Sequence, residues 1–122
     1  MRILSFNANG LRSAASKGFF DWFGKQDVDV LCLQETKAQE HQLSDAVIRP
    51  AGYKAWFKDA STKKGYSGVA IYSRREPDEV RTSLGWPPFD DEGRYIEATS
   101  AWSRSISRRA VPANCARASR KR

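Results

Sequence analysis

The most continuous apolar segment of the chain runs from Val28 to Leu33, where five of six residues are hydrophobic. No turn residue interrupts it, which predicts a β-strand over residues 28–34 that is covered on both faces. The strand is followed directly by Glu35. A carboxylate just past the end of a buried strand lies where α/β sheets usually present ligand-binding groups. Taken alone, however, Glu35 is more simply interpreted as a solvated loop residue.

The segment before this strand predicts a strand and two short helices. Residues 2–7 read as a first strand, which Asn9-Gly10 ends. Apolar residues then follow a helical spacing over 11–26, and Gly18 divides this stretch into two helices. A strand–helix–strand order implies parallel pairing through a right-handed crossover. Both strands would then end at the same sheet edge, which brings Asn7 and Glu35 close together.

The rest of the chain alternates between short apolar and polar segments. We predict a helix over about 39–47, because Pro50 and Gly52 follow it. Two strands, 53–57 and 68–73, are separated by a polar stretch that is typical of a hairpin-type connection. A short strand at 79–83, a loop at 86–93 and a strand over 94–98 complete the prediction. Periodicity disappears after residue 100, and there is no internal repeat.

Composition limits the chain to one domain with a modest core, since it has 122 residues. Seven of the 21 Lys and Arg residues lie in 101–122, and this segment holds no Asp or Glu. The 14 basic residues in 1–100 therefore balance the 14 acidic residues of the chain. A net positive charge normally suggests that a protein binds nucleic acid, but here the positive charge lies entirely in residues 101–122. There is no 18-residue apolar run and no signal-peptide pattern. We therefore expect a soluble, cytoplasmic protein without a membrane partner.

Four short motifs stand in order along residues 1–100. They are Phe6-Asn7-Ala8-Asn9-Gly10-Leu11-Arg12, Leu33-Gln34-Glu35-Thr36-Lys37, Lys64-Gly65-Tyr66-Ser67-Gly68-Val69-Ala70-Ile71 and Glu92-Gly93-Arg94. Together they resemble the exonuclease III family of apurinic/apyrimidinic endonucleases, within the endonuclease/exonuclease/phosphatase superfamily. Each motif alone is weak evidence. Four motifs in this order and at these spacings make the resemblance specific.

The resemblance implies a fold, an activity and a cofactor. The fold would be the N-terminal half of a four-layer α/β sandwich, in which two β-sheets are flanked by helices. The activity would be that of a DNA repair phosphodiesterase, an AP endonuclease and 3′-to-5′ exonuclease. Its substrate would be duplex DNA with abasic sites or 3′ ends, and its cofactor would be Mg²⁺, with Mn²⁺ as an alternative. The protein would act as a monomer.

The resemblance also assigns the two principal site residues. Asn7 and Glu35 match the catalytic and metal-binding positions of the family. Glu35 would be the Mg²⁺ ligand, since a hard carboxylate suits a hard cation that keeps several waters. Asn7 would orient a catalytic group or the scissile phosphate. Asn9 stands where the family often has Asp, so a second metal ion is less supported.

Four further residues match family positions near the DNA backbone or the metal: Asn9, Lys37, Tyr66 and Arg94. Without the resemblance, the last three would be a solvated lysine, a packed tyrosine and a loop arginine. His41 is the single histidine of the chain. It matches no catalytic histidine of the family, and we interpret it as a surface residue.

The resemblance stops near residue 100. The family continues with a catalytic Tyr, an Asp-x-Asn motif and a C-terminal Asp-His, which this chain lacks. Read one nucleotide out of frame, residues 105–114 can encode Ile-Tyr-Leu-Pro-Ser-Gly-Ser-Ser-Gly-Glu, which is the family pattern at this point. We therefore interpret 1–100 as a partial endonuclease/exonuclease/phosphatase domain and 101–122 as a basic, irregular, out-of-frame tail. Such a chain would leave apolar sheet faces uncovered and would be catalytically inactive.

Two alternatives stay open from the sequence. The first is a non-catalytic fragment that binds nucleic acid through its basic tail by neutralising phosphates. The second is a phosphodiesterase of the same superfamily that acts on another substrate, such as a phosphoinositide.

Overall fold

The structure is a computed structural model that describes residues 1–100, which form two β-sheets and four short helices. The strands are β1 (Ile3–Asn7), β2 (Val30–Gln34), β3 (Lys54–Lys58), β4 (Val69–Ser73), β5 (Glu79–Arg81) and β6 (Glu97–Thr99). The helices are α1 (Leu11–Ser16), α2 (Phe19–Gly24), α3 (Asp45–Ile48) and α4 (Pro87–Asp90), with a 3-10 turn at Glu40–Gln42. This arrangement is the mixed α/β fold that was predicted. The domain boundary and the tail at 101–122 lie outside the described residues.

The larger sheet has the strand order β1-β2-β4-β3. β1 and β2 are parallel, with Ile3 opposite Val30 and Asn7 opposite Gln34. This confirms the parallel pairing that the strand–helix–strand order predicted. β4 runs antiparallel to both β2 and β3, so the predicted hairpin-type connection is also confirmed. β5 and β6 form a separate antiparallel pair.

Each face of the larger sheet has its own apolar core. On one face, Leu31 and Leu33 of β2 pack with the helices and share a cluster with Leu11 and Phe23. On the other face, Val30 and Cys32 pack with Ile96, which precedes β6. β2 is therefore covered on both faces, as its continuous apolar sequence predicted.

The helix face is rich in aromatic side chains. Phe23 is 1% exposed and its ring lies 4.7 Å from that of Tyr53. The Tyr53 hydroxyl donates to the carbonyl of Val28, and the Tyr72 hydroxyl donates to that of Val47 at 2.8 Å. These bonds satisfy the polar ends of large apolar side chains, so the rings can be buried at little cost.

The prediction of one continuous helix over about 39–47 is wrong, because the structure has two separate short elements there. Residues 40–42 form a 3-10 turn, and α3 starts only at Asp45. Gln39 and Gln42 cap each other reciprocally, which closes the turn after three residues. Leu43 is extended at φ −98° and ψ 143° and is buried, so burying its side chain takes precedence over continuing the helix.

Two boundaries near the end of the described chain also differ from prediction. The predicted loop at 86–93 contains α4, which starts at Pro87, a position where the missing N–H of proline costs nothing. The strand predicted from Arg94 begins at Glu97. Within residues 1–100, no helix has the length and apolar character needed to cross a bilayer.

Candidate active site

Four loops meet at one edge of the molecule, and we call this region the four-loop edge. It consists of residues 7–11, 34–37, 66–68 and 92–94. The first two loops are joined by main-chain hydrogen bonds. The Ala8 N–H donates to the Gln34 carbonyl at 2.9 Å, and the Gly10 N–H donates to the Glu35 carbonyl at 2.8 Å. The β1–α1 loop is thus fixed against the residues that follow β2.

The other two loops continue this ladder. The N–H of Thr36 donates to the carbonyl of Gly68 at 3.1 Å, and that of Lys37 donates to Ser67 at 2.8 Å. Gly93 then accepts from the Gly68 N–H at 2.9 Å and from the Ser67 hydroxyl at 3.2 Å. The four sequence motifs are therefore held side by side by backbone bonds, although they are far apart in the chain.

The backbone of the four-loop edge is conformationally strained. Within residues 1–100, positive φ occurs at four non-glycine residues, and all four lie in these loops: Asn9 (43°), Glu35 (52°), Lys37 (50°) and Ser67 (52°). Each such residue costs on the order of 1–3 kcal/mol and persists only where the surroundings enforce it. Strain of this kind clusters at functional sites, which makes this edge the best candidate for the active site.

A polar cluster forms around Lys37. Its Nζ donates to Asn9 Oδ1 at 2.6 Å and lies 3.9 Å from Glu35 Oε2. The side chains of Lys37 and Glu35 are 40% and 45% exposed, so both can be reached from solvent. Asn7 Oδ1 accepts from the Asn9 N–H at 3.0 Å and so orders the turn. The structure thus places Asn7, Asn9, Glu35 and Lys37 in one neighbourhood.

Tyr66 and Arg94 form a second polar pair on the adjacent loops. Arg94 Nη2 donates to the Tyr66 hydroxyl, and Arg94 Nε donates to Glu92 Oε2 at 2.6 Å. The Glu92 carboxylate raises the pKa of the Arg94 guanidinium above its ordinary value, and an arginine side chain carries its charge at all physiological pH values in any case. Lys63 Nζ lies 4.8 Å from the centre of the Tyr66 ring. This pair connects to the first cluster through Ser67.

The donor set fits one kind of metal ion and excludes another. Within the described residues there is no group of three His, Cys, Asp or Glu side chains that could hold a metal ion, so a zinc-type cage is absent from this part of the chain. The Glu35 carboxylate, on the loop next to that of Asn7, is the donor type that suits a hard cation that retains waters and takes phosphate oxygens as further ligands. His41 is exposed on the 3-10 turn, outside the four-loop edge.

Sequence reasoning missed the structural role of Thr36 and Ser67. Thr36 is 2% exposed, and its Oγ1 occupies the space that a Cβ on Gly68 would need. A Cβ on Gly93 would lie 2.6 Å from the Ala60 nitrogen. Gly65 and Gly68, which lie on either side of Tyr66-Ser67, are typical of a turn, but nothing in the sequence indicates which distant backbone the turn approaches.

Comparison with known sequences identifies the family to which this chain is similar. The sequence model of the endonuclease/exonuclease/phosphatase family matches residues 4–116. An exodeoxyribonuclease of Bacillus subtilis is 40% identical over 97 residues, covering 79% of this chain and 37% of that protein. The DNA repair nuclease APEX1 of Danio rerio is 41% identical over 99 residues, covering 80% of this chain and 32% of that protein.

Similar solved structures are also nucleases of this kind. An AP endonuclease from Archaeoglobus fulgidus superimposes with a TM-score of 0.69 at 36% identity, covering 83% of this chain and 38% of that one. The 3′-5′ exonuclease NExo from Neisseria meningitidis has a TM-score of 0.68 at 31% identity, with the same coverage. The chain spans about a third of the length of the Bacillus subtilis and Danio rerio relatives. With the family model matching most of its length, this chain belongs to the endonuclease/exonuclease/phosphatase family.

Proposed function

We propose that this chain carries the Glu35 part of the active site of a metal-dependent DNA repair phosphodiesterase. The substrate would be duplex DNA with abasic sites or 3′ ends, and the cation would be Mg²⁺ or Mn²⁺. The observation that carries the proposal is the convergence of four separate motifs on one strained, hydrogen-bonded edge. The names of similar proteins support it, since they include an exodeoxyribonuclease, a DNA repair nuclease and a Neisseria NExo variant bound to a product DNA hairpin.

The residues of the four-loop edge supply complementary functions toward a phosphodiester. Glu35, with Asn7 beside it, would hold the divalent cation, whose charge stabilises the negative charge that develops on phosphate oxygens. Lys37 holds the Asn9 amide in place and presents an ammonium group to the same exposed surface. Arg94 has five N–H donors and uses only some of them on Tyr66 and Glu92, so others can bind phosphate.

Hydrolysis also requires a group that activates water, and the described residues do not supply one at this edge. Glu35 would be engaged by the proposed metal, the Glu92 carboxylate is paired with Arg94, and His41 lies outside this edge. Removing one member of a catalytic unit costs nearly as much as removing all of them. We therefore propose that this chain binds metal and DNA at the four-loop edge but does not cleave DNA by itself.

Binding is tested by fluorescence anisotropy of a labelled abasic duplex, titrated with the full chain with and without Mg²⁺. We expect Mg²⁺ to increase the affinity for the duplex. Glu35→Gln should reduce this Mg²⁺-dependent increase in affinity at least about tenfold, since a charged metal ligand is lost. Glu40→Gln is the matched control, because Glu40 is an exposed carboxylate on the following turn. Equal effects of the two substitutions, or no effect of Glu35→Gln, would contradict the assignment of Glu35.

The absence of cleavage is tested separately with the same duplex in Mg²⁺. We expect no strand scission above the level of the Glu35→Ala variant. Scission by the purified chain that Glu35→Ala abolishes would show that the chain is itself a nuclease. That result would overturn the proposal that the chain does not cleave DNA, and it would support the assignment of Glu35 to the active site.

A further inference from the structure

Ser67 bonds to two of the four loops at once. Its carbonyl accepts from the Lys37 N–H at 2.8 Å, and its hydroxyl donates to the Gly93 carbonyl at 3.2 Å. The first bond holds the loop that carries Glu35, and the second holds the loop that carries Arg94. Ser67 therefore lies at the junction between the two polar groups of the candidate site.

The hydroxyl bond bears directly on the direction of Arg94. The Gly93 carbonyl and the Arg94 N–H belong to one planar peptide group, so fixing this carbonyl also fixes the direction in which the chain enters Arg94. The carbonyl oxygen has two lone pairs. It accepts from the Gly68 N–H at 2.9 Å and from the Ser67 hydroxyl, so two donors hold the orientation of the peptide group.

The side chain of Arg94 is held from the same segment. Arg94 Nη2 donates to the hydroxyl of Tyr66, the residue before Ser67, and Arg94 Nε donates to Glu92 Oε2 at 2.6 Å. The Arg94 side chain is 47% exposed, so these bonds hold it rather than close packing. Tyr66 and Ser67 thus fix Arg94 at its side chain and at its backbone, respectively.

The backbone conformation at Ser67 suits glycine better than serine. Ser67 has φ 52°, while Gly65 and Gly68 on either side adopt similar positive angles of 69° and 89°. Glycine adopts such angles freely, whereas a serine there is strained. A glycine would retain both backbone bonding groups of this residue. The hydroxyl that bonds to Gly93 is therefore the feature that serine adds.

We propose that Ser67 is a positioning residue, which fixes the Arg94 guanidinium relative to the Glu35 loop through its hydroxyl. Arg94 and the metal held by Glu35 would then contact the DNA backbone at a fixed spacing. The inference rests on the proposed function and adds the residue that keeps these two binding groups aligned. Groups that are already ordered bind without the entropic cost of ordering them, so loss of the hydroxyl should weaken DNA binding even in a folded chain.

A double-mutant cycle of Ser67→Gly and Arg94→Gln tests the proposal, with the full chain titrated into the labelled abasic duplex in Mg²⁺. Alone, Arg94→Gln should raise the dissociation constant at least about tenfold, as expected for one charged hydrogen bond. Ser67→Gly alone should raise it at least about threefold, since Arg94 is no longer aligned. In the Ser67→Gly background, Arg94→Gln should then add less than about threefold.

Ser61→Gly is the matched control. The Ser61 hydroxyl also bonds to the neighbouring loop, at Asp91, but not to the peptide group that leads into Arg94. In this background Arg94→Gln should keep its effect of about tenfold.

Urea unfolding separates positioning from a merely structural role. Ser67→Gly should have a midpoint close to that of the wild type, because the release of backbone strain offsets the lost hydrogen bond. A merely structural role predicts instead a lower midpoint and an unchanged effect of Arg94→Gln.

Three outcomes would overturn the proposal. The first is additivity of Ser67→Gly and Arg94→Gln, which would show that Ser67 does not position Arg94. The second is an equal loss of the Arg94 effect in the Ser61→Gly background, which would show that the hydroxyl of Ser67 has no special role. The third is unchanged binding by Arg94→Gln alone, which would remove the group that Ser67 is proposed to position.

Failure of the proposed function is distinguished by Glu35→Gln. If Glu35→Gln leaves Mg²⁺-dependent binding unchanged, the metal assignment is wrong. Coupling between Ser67 and Arg94 in that case would still support Ser67 as a positioning residue, for a DNA contact that does not depend on the metal.

Discussion

At the scale of single residues, the close approach of Gly68 to Thr36 determines how the loops of the candidate site fit together. Gly68 has φ +89°, and its Cα faces the buried Thr36 hydroxyl. The Gly68 N–H and carbonyl both take part in the ladder that joins the loops. A side chain at this position would push the Glu35 loop away from the Arg94 loop.

We expect Gly68→Ala to lower the free energy of unfolding by about 2–4 kcal/mol, because it combines an unfavourable φ with a clash. Gly65→Ala is the matched control, since Gly65 also has a positive φ (69°) but no atom lies within 4 Å of an added Cβ. The control should cost only about 1–2 kcal/mol. Urea unfolding measures both variants. Equal costs would show that the Thr36 contact does not constrain the loops.

At the scale of elements, β4 connects the sheet to α3. All five of its residues are buried, and the Tyr72 hydroxyl donates to the carbonyl of Val47 in α3. Burial raises the pKa of the Tyr72 hydroxyl above its ordinary value of 10.0. The folded protein therefore retains a proton that the unfolded chain loses above about pH 10, so alkaline pH favours unfolding.

We expect Tyr72→Phe to cost about 1–2 kcal/mol at pH 8, because the Val47 carbonyl loses its donor. Above pH 10 the wild type should lose up to about 1.4 kcal/mol per pH unit through Tyr72, and the variant should lack this component. The other ionisable groups are present in both proteins and cancel in the comparison. Urea unfolding at several values between pH 8 and 11.5 gives the two slopes. Parallel slopes would contradict a buried, neutral Tyr72.

At the scale of the whole molecule, the charge is divided unevenly. Residues 1–100 are balanced, and the formal charge of +7 comes from residues 101–122. Non-specific attraction to DNA should therefore arise in the tail, while metal-dependent binding should arise at the four-loop edge. These two contributions separate the phosphodiesterase proposal from a fragment that binds nucleic acid through its basic tail alone.

We expect a full-length variant without tail charge to lose most of the salt dependence of binding to undamaged duplex DNA. The variant replaces Arg104, Arg108, Arg109, Arg117, Arg120, Lys121 and Arg122 by Gln. Each phosphate contact that is lost reduces the slope of log K against log salt by about 0.9. The Mg²⁺-dependent part of binding should survive. Its loss with the tail charges would favour the tail-only alternative, and an unchanged slope would contradict the assignment of non-specific binding to the tail.

Local sequence was sufficient to predict most of the sheet. The apolar run at 28–33 indicated a strand buried on both faces, and the structure confirms it with separate cores on the two sides. The helical stretch between β1 and β2 implied parallel pairing, because a helical crossover returns the chain in the same direction. The site residues came from motif resemblance, and their roles remain predictions. Only their placement on neighbouring loops is a result of the structure.

The tertiary structure alone decided three other features. It divided the predicted helix at 39–47, because burial of Leu43 and reciprocal capping outweigh local helix propensity. It placed positive φ at Glu35, Lys37 and Ser67, which local preference disfavours and which only bonds between distant loops can enforce. Within residues 1–100, it also left β1 at the edge of the larger sheet. The sequence by itself determined which segments become strands, because alternation and apolar runs act between neighbours in the chain. Which loops meet depends on packing between residues distant in sequence, so the form of the candidate site emerged only in the folded molecule.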